Sequence, residues 1–414
     1  MNREQRRRAV ITGVGAITPL GNSVEEFWQG CLEGRSGIDY LTQFDASTYP
    51  VRIAGEVKGF DPEDYMDRRE ARRMARFSQF AVAAARQAIE SAGLKPERED
   101  SERVGVLLGV GIGGFPNVDE GMRTVVSRGG MRLDPFFIAK MLPNMAAAHV
   151  AMQFGLRGYN NTVTTACAAA TQAMGDALEL IRSGRADVVL AGGAEAALCE
   201  LGLAGFAVMR ALSTQNEPPQ KASRPFDAKR DGFVAAEGAA IFVFESLEHA
   251  QRRGAPILAE VAGYGACNDA YHIVAPCTDG VRCMRLALQD AGVSPEEVDY
   301  INAHGTSTPL NDAIETLAIK RVFGERAYRI PVSSTKSMVG HCFGAAGAVE
   351  CVAVVKSIET GWLHPTINYE HPDPDCDLDY VPNQPRQAEV RVVLKNSFGF
   401  GGQNACLVFK RFEG

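Results

Sequence analysis

The amino-acid sequence predicts an α/β fold built from two similar halves. Short β-branched runs alternate along the chain with Ala-rich helical runs, which is typical of largely parallel strands covered by helices. Two stretches, 161–183 and 331–360, each lead from extended sequence into a small-residue helix with few charges. The length of 414 residues exceeds what one hydrophobic core usually serves, so two packed halves are expected.

The elements follow from these apolar runs. The strand candidates are 8–12, 103–110, 187–191, 238–245, 257–264, 298–302, 330–334, 390–395 and 404–409, and the helix candidates are 23–33, 71–92, 135–154, 167–183, 246–253, 280–291, 309–322 and 344–360. The helices 167–183 and 344–360 are expected to be buried, because charged side chains are scarce in them. We interpret the two stretches as an internal duplication and place the domain boundary between residues 1–255 and 256–414.

Composition excludes several classes of protein. A net charge of −7, without an extended basic tract, argues against a nucleic-acid binder. The ten cysteines contain no C-x-x-C pair and do not combine with the seven histidines in zinc-ligand spacing, so no metal is expected. Scattered cysteines indicate reduced thiols in a cytoplasmic protein. The apolar stretch 188–209 contains Glu195 and Glu200, so we expect no membrane segment.

The segment Thr164–Ala170 places Cys167 between extended sequence and a small-residue helix. A helix N-terminus carries partial positive charge, which lowers the pKa of a thiol and favours the reactive thiolate. The alternative is a buried structural cysteine, and the local sequence leaves the two interpretations even.

Three further motifs occur at predicted strand ends, where sites assemble in α/β sheets. Asn302–Pro309 contains His304 followed by hydroxyl residues, which alternatively cap the next helix. Ser333–His341 contains a lysine and a second histidine, which alternatively belong to an ordinary loop. Asn396–Gly402 is a Gly-rich turn that permits close backbone approach, or else a plain hairpin turn. Together with Cys167, these motifs indicate one catalytic site.

The chain resembles the β-ketoacyl-acyl-carrier-protein synthases, most closely type II. The matching motifs cover nearly the whole chain and read T-A-C-A, N-A-H-G-T-S-T-P, S-S-T-K-S-M-V-G-H and N-S-F-G-F-G-G. The resemblance implies a thiolase-like fold, with two similar βα halves in an α-β-α-β-α arrangement, and a homodimer. It also implies a decarboxylating Claisen condensation between malonyl-carrier protein and a cysteine-bound acyl chain in fatty-acid elongation.

The resemblance also implies roles for residues of the site. Cys167 would carry the acyl chain, with its own N–H and that of Phe400 as the oxyanion hole. His304 and His341 would stabilise the enolate left by decarboxylation, and Lys336 would support them through an ion pair with Glu350. No cofactor is implied, since phosphopantetheine arrives on the carrier protein.

Further residues are implied around the acyl pocket and at the surface. The implied contacts are Thr306 and Thr308 with the phosphopantetheine arm, Ile112 and Phe206 with the acyl chain, Phe137 from the partner subunit, and Asp269 on a loop facing Phe400. For the three apolar residues, plain core packing is the alternative. The acidic acyl carrier protein requires a basic face, for which Arg68, Arg69 and Arg72, together with Arg73 and Arg76, are candidates. A solvated helix face is the alternative.

Two other functions stay open at this point. A type II polyketide or other secondary-metabolite ketosynthase would use the same residues. A non-catalytic partner, such as a chain-length factor, would lack the active cysteine, so the presence of Cys167, His304 and His341 argues against it.

Overall fold

The computed structural model describes residues 6–278 and 280–414, and over these ranges the chain forms fourteen strands and thirteen α-helices. The strands are β1 Ala9–Ile17, β2 Asp39–Tyr40, β3 Ile53–Ala54, β4 Val104–Gly109, β5 Asn160–Val163, β6 Val188–Glu195, β7 Gly238–Ser246, β8 Ala259–Asn268, β9 Tyr300–Asn302, β10 Val332–Ser333, β11 Trp362–Leu363, β12 Arg386–Gln387, β13 Val392–Gly399 and β14 Gln403–Lys410. The helices are α1 Val24–Leu32, α2 Arg68–Arg73, α3 Arg76–Ser91, α4 Phe115–Arg128, α5 Phe137–Met141, α6 Met145–Phe154, α7 Ala169–Arg182, α8 Glu200–Val208, α9 Leu247–Arg253, α10 Gly280–Ala291, α11 Pro309–Phe323, α12 Lys336–Val339 and α13 Ala346–Thr360.

The main sheet has the strand order β10-β9-β13-β14-β8-β1-β7-β6-β4-β5. Each half contributes five strands to the main sheet, and when these five are numbered along the chain both halves have the order 3-2-4-5-1. In each half one strand, β7 or β14, runs against the other four. The halves join where β1 pairs with β8. The predicted fold of two similar, largely parallel halves is therefore confirmed.

Helices α7 and α13 form the middle layer, and each contacts strands of both halves. Their small residues are explained by this position, because a Cβ atom on Gly347 of α13 would lie only 2.0 Å from the hydroxyl oxygen of Thr171 on α7. Outside the sheets, α3 covers β1 and β7, while α10 covers β8 and β14. The arrangement is α-β-α-β-α, and the two small-residue helices are buried as predicted.

Some predicted elements differ from the structure. The predicted helix 71–92 is two helices, interrupted at Met74 and Ala75, and the predicted helix 135–154 breaks at Pro143 between α5 and α6. Helices α4, α8 and α12 were not predicted. Over the described ranges no helix combines the length and apolar character needed to cross a membrane, and no three His, Cys, Asp or Glu side chains are grouped to hold a metal ion.

A buried histidine makes the stability of the fold depend on pH. His249 on α9 contacts Glu245 through Nδ1 and Glu99 through Nε2. Both carboxylates raise the pKa of His249 above its ordinary value, and Glu245 has the larger effect. The ion pairs of protonated His249 with these carboxylates therefore contribute their full stabilisation below about pH 6.5. This stabilisation is lost as the pH rises through the pKa of His249 in the folded state. We expect H249Q to lower the free energy of unfolding by roughly 1.5–3 kcal/mol at acidic pH, with the difference shrinking as pH rises.

Urea unfolding of both proteins between about pH 5.5 and 9 measures this difference. A difference that stays constant across the range would contradict the assignment. Arg253 also pairs with Glu245, so that carboxylate keeps a partner in the variant.

Candidate active site

A cavity of about 590 Å³ lies where the carboxyl ends of strands from both halves meet. The segments following β5, β9, β10 and β13 all contribute to its wall. Among the residues lining it are Cys167, His304, His341, Phe400, Thr306, Thr308, Ile112, Phe206 and Asp269. The structure thus brings together residues that are far apart in the sequence.

Cys167 lies in a single 3₁₀ turn, 166–168, that leads from β5 into α7. Ala166 holds the left-handed φ of +48°, and Phe343, which precedes α13 in the second half, has the matching φ of +45°. The backbone N–H groups of Phe400 and Cys167 both lower the pKa of the Cys167 thiol, which indicates that both face its sulfur. Two N–H groups beside the nucleophile are suited to form an oxyanion hole for the oxygen of a thioester bound there.

Burial raises the pKa of the Cys167 thiol to about 11. The charge of Lys336 and the two N–H donors oppose this effect without overcoming it. The prediction of a lowered pKa from the helix N-terminus is therefore wrong, because desolvation of the thiolate outweighs the local field. At neutral pH the unacylated site holds a protonated thiol.

Hydrogen bonds fix the tautomer of both histidines. Nδ1 of His304 lies 3.3 Å from the Lys336 ammonium, and Nδ1 of His341 accepts from the Phe343 N–H at 3.2 Å. Each Nδ1 is thus an acceptor, which leaves the proton on Nε2. The ring centroids lie 5.7 Å apart, and the buried Nε2 of His341 has no hydrogen-bond partner among the described residues. A buried unpaired donor in a cavity is suited to a ligand oxygen.

Both imidazoles are neutral at physiological pH. Burial lowers the pKa of His304 and of His341 well below the ordinary value, and the charge of Lys336 adds to the effect. A neutral imidazole donates from Nε2 without changing its own charge.

Lys336 is buried beneath the histidines and donates to the carbonyl oxygen of His304 at 2.7 Å. The predicted ion pair with Glu350 is present, and the second oxygen of Glu350 pairs with Lys395 at 2.7 Å. Lys395 was not predicted, although a lysine inside the apolar strand Val392–Gly399 is an unusual choice for a buried position. Two cations therefore share one buried carboxylate behind the site.

Glu315 on α11 is a second residue that the sequence did not reveal. Its carboxylate accepts the N–H groups of His304 and Gly305, each at 2.8 Å, and the Asn396 side chain at 3.1 Å. It thereby holds the end of β9 against β13, and so fixes the backbone that carries His304.

The hydroxyl residues after His304 have a structural role. Thr308 caps α11 by accepting the Asn311 N–H at 3.3 Å, and its hydroxyl lies 2.9 Å from that of Thr306. The capping alternative is confirmed for Thr308. Both hydroxyls also line the cavity, so their contact with a substrate arm stays a prediction.

The remaining pocket residues divide into two groups. Ile112 and Phe206 line the cavity, and the N–H of Asp269 donates to the Gly402 carbonyl at 2.9 Å, which places its loop against the Gly-rich turn. Phe137 on α5 packs near Gly121 and does not line this chain's cavity. Its approach from a partner subunit stays a prediction.

The basic segment is less uniform than predicted. Arg68, Arg69 and Arg72 are exposed on α2, as is Arg73. Arg76 begins the separate helix α3 and binds the buried Glu237 through two contacts of 2.8 and 3.0 Å. Arg76 therefore does not extend the basic face of α2, because it begins a separate helix and its guanidinium, although the side chain is 36% exposed, is paired with Glu237.

Comparison with protein families and curated proteins places the chain among condensing enzymes. The family described as Beta-ketoacyl synthase, N-terminal domain, matches residues 6–250, and its C-terminal counterpart matches residues 258–370. The chain is 50% identical over 412 residues to 3-oxoacyl-[acyl-carrier-protein] synthase 2 of Synechocystis sp., covering 99% of both proteins. The protein of the same name from Coxiella burnetii is 48% identical over 410 residues, covering 98% of this chain and 99% of the relative.

Solved structures agree with this result. A type II polyketide ketosynthase in complex with its acyl-carrier protein and bound to the hexaketide has a TM-score of 0.90 and 40% identity, covering 99% of this chain and 100% of its own. A β-ketoacyl synthase from Burkholderia phymatum has a TM-score of 0.92 and 36% identity, covering 98% and 100%.

Proposed function

Because the chain belongs to the β-ketoacyl synthase family, we propose that it is a 3-oxoacyl-[acyl-carrier-protein] synthase that extends fatty-acyl chains. The proposed reaction is a decarboxylating Claisen condensation of malonyl-carrier protein with a cysteine-bound acyl chain. The observation that carries it is the pair of neutral imidazoles with Nε2–H donors in the cavity that also holds Cys167.

In the first half-reaction, the sulfur of Cys167 attacks the thioester carbon of an acyl-carrier protein. The N–H groups of Cys167 and Phe400 stabilise the resulting oxyanion. The bond to the pantetheine sulfur then breaks, and the proton lost by the Cys167 thiol ends on that departing sulfur. The acyl chain extends along Ile112 and Phe206.

In the second half-reaction, the bond between the malonyl carboxylate and its α-carbon breaks. CO2 leaves, and the electron pair moves into an enolate whose oxygen accepts the Nε2–H groups of His304 and His341. The α-carbon then attacks the Cys167 thioester, which forms the new carbon–carbon bond and releases the Cys167 sulfur as a thiolate that takes up a proton from solvent. The ion pairs of Lys336 and Lys395 with Glu350 hold His304 in position.

The proposed partners follow from this reaction. The phosphopantetheine arm belongs to the carrier protein and passes Thr306 and Thr308, so the enzyme needs no cofactor of its own. In this proposal the protein is a homodimer in which Phe137 of one subunit reaches the partner's pocket. Its proposed location is the cytoplasm.

Reversing charge on α2 is expected to weaken carrier binding. R69E/R72E should raise KM for acyl-carrier protein about tenfold and leave kcat unchanged, because steering by a basic face affects encounter rather than chemistry. Steady-state rates at two salt concentrations measure the change, and the salt dependence should diminish in the variant. The exposed pair Arg98 and Arg252 gives the matched control R98E/R252E. An equal effect in both doubles would mean that α2 is not the docking face.

Reconstitution tests the proposed function. Purified protein mixed with acyl-carrier and malonyl-carrier protein should yield 3-oxoacyl-carrier protein and CO2, with an acyl adduct on Cys167 seen by mass spectrometry. Absence of the adduct would overturn the proposal and favour a non-catalytic partner role.

The polyketide alternative is supported by the solved ketosynthases at 40% identity, but relatives named 3-oxoacyl-[acyl-carrier-protein] synthase 2 are more similar, at 47–50%. Profiling saturated acyl-carrier substrates by chain length separates the two. A fatty-acid enzyme extends saturated chains, whereas repeated condensation without reduction would favour the polyketide function.

A further inference from the structure

A buried carboxylate that the proposed reaction does not use lies behind the cavity. Glu195, the last residue of β6, is fully buried. Its oxygens accept backbone N–H groups from Gly111 at 2.7 Å, Ile112 at 3.1 Å, Gly113 at 2.8 Å and Gly344 at 3.1 Å. Burying a carboxylate costs free energy unless the group is hydrogen-bonded. The four N–H donors offset this cost and fix the position of the Glu195 side chain.

The four donors come from both halves of the molecule. Residues 111–113 follow β4 in the first half, and Gly344 lies in the 3₁₀ turn before α13 in the second. The two segments are in close backbone contact, because a Cβ atom on Gly344 would lie 2.0 Å from the backbone nitrogen of Gly111. Glu195 therefore links segment 111–113 to the turn that contains Gly344 through hydrogen bonds, at a point where the two backbones are too close for a side chain.

Both segments continue into the wall of the cavity. Ile112 faces the space around Cys167, and Phe343, next to Gly344, faces it as well. Phe343 also acts on His341: its N–H donates to Nδ1 at 3.2 Å, and its ring stacks on the imidazole with centroids 5.5 Å apart. A shift of this crossing would move an acyl-pocket residue and the group that orients His341 together.

We propose that Glu195 is a positioning residue that fixes Ile112 and the Phe343 turn, and thereby sets the acyl length that the cavity accepts. This inference rests on the proposed condensing function. Burial raises the pKa of Glu195 to about 7, while the four N–H donors lower it. The experiments are therefore performed at about pH 8, where the carboxylate predominates.

The variant E195Q tests the proposal. An amide has a single acceptor oxygen, so its NH2 group must face either the Gly113 N–H or the Gly111 and Gly344 N–H groups. The readout is alkylation of Cys167 by iodoacetamide and by N-alkyl iodoacetamides of increasing chain length. In E195Q, the rate with the longest reagent should fall about tenfold relative to that with iodoacetamide, since small displacements strongly affect reaction geometry.

Glu56 provides the matched control. It is a buried carboxylate that accepts the backbone N–H groups of Thr42 and Gln43 outside the cavity. E56Q therefore disturbs a similar set of hydrogen bonds away from Cys167. E56Q should keep the wild-type ratio of alkylation rates. If Glu195 acts through Ile112, the effect of E195Q should also shrink in an I112A background, as a double-mutant cycle reveals.

The shorter variant E195D keeps the charge and serves where E195Q is poorly folded. It should give an intermediate ratio, because its carboxylate does not reach both segments. An unchanged ratio in either folded variant overturns the positioning role. The reagents need no carrier protein, so failure of the condensation assay would affect the proposed function separately, and an unchanged ratio would leave the condensing activity standing.

Discussion

C167Q is expected to abolish condensation while malonyl decarboxylation continues. The variant has no sulfur to carry an acyl chain, so the rate of 3-oxoacyl formation should fall by more than about 10⁴-fold. The Nε2–H donors of His304 and His341 do not depend on the thiol, since their tautomers are fixed by Lys336 and the Phe343 N–H. The glutamine carbonyl can also accept the N–H groups that face the sulfur, as an acyl thioester would.

Two assays on one preparation measure this separation. Release of CO2 from malonyl-carrier protein reports decarboxylation, and mass spectrometry reports 3-oxoacyl product. Cys342 offers the matched control, because it is buried beside His341 and donates to the Glu237 carbonyl at 3.4 Å, a contact that a serine hydroxyl can replace. C342S should retain both activities. Residual condensation in C167Q would contradict the nucleophile assignment.

The parts of the site that could be predicted are those with a local sequence signature. Cys167 and His304 each lie between a strand and a helix, and His341 lies between α12 and α13; the motifs around all three are continuous in the sequence. The similarity of the two halves was likewise predicted from two small-residue helices, whose composition reflects the crossing of Thr171 and Gly347.

The parts that could not be predicted depend on contacts between distant segments. Glu195 and Glu315 acquire their roles from backbone N–H groups that only the fold brings near them. The pKa of Cys167 was misjudged for the same reason, because the helix terminus is visible in the sequence whereas burial is not. Helix α8 was missed since its apolar residues surround the whole helix and give no periodicity.

H341A is expected to lower the rate of malonyl decarboxylation by about 10²–10³, the usual cost of losing one oxyanion donor. Its buried Nε2–H has no other partner among the described residues, so its contribution belongs to the bound substrate. Acylation of Cys167 should be partly retained, because the N–H donors at the sulfur are unchanged. Decarboxylation and acylation are measured separately, with CO2 release and mass spectrometry.

H341N tests whether the N–H donor itself matters, since an asparagine amide donates a hydrogen bond without an imidazole. It should fall between wild type and H341A. H304A should resemble H341A in decarboxylation, although it also removes an acceptor of the Lys336 ammonium. If both donors serve one enolate oxygen, the double variant should lose less than the product of the single losses, because sites that share a ligand are not independent. Normal decarboxylation in either single variant would remove that histidine from the enolate site and leave Cys167 acylation as the only step the geometry explains.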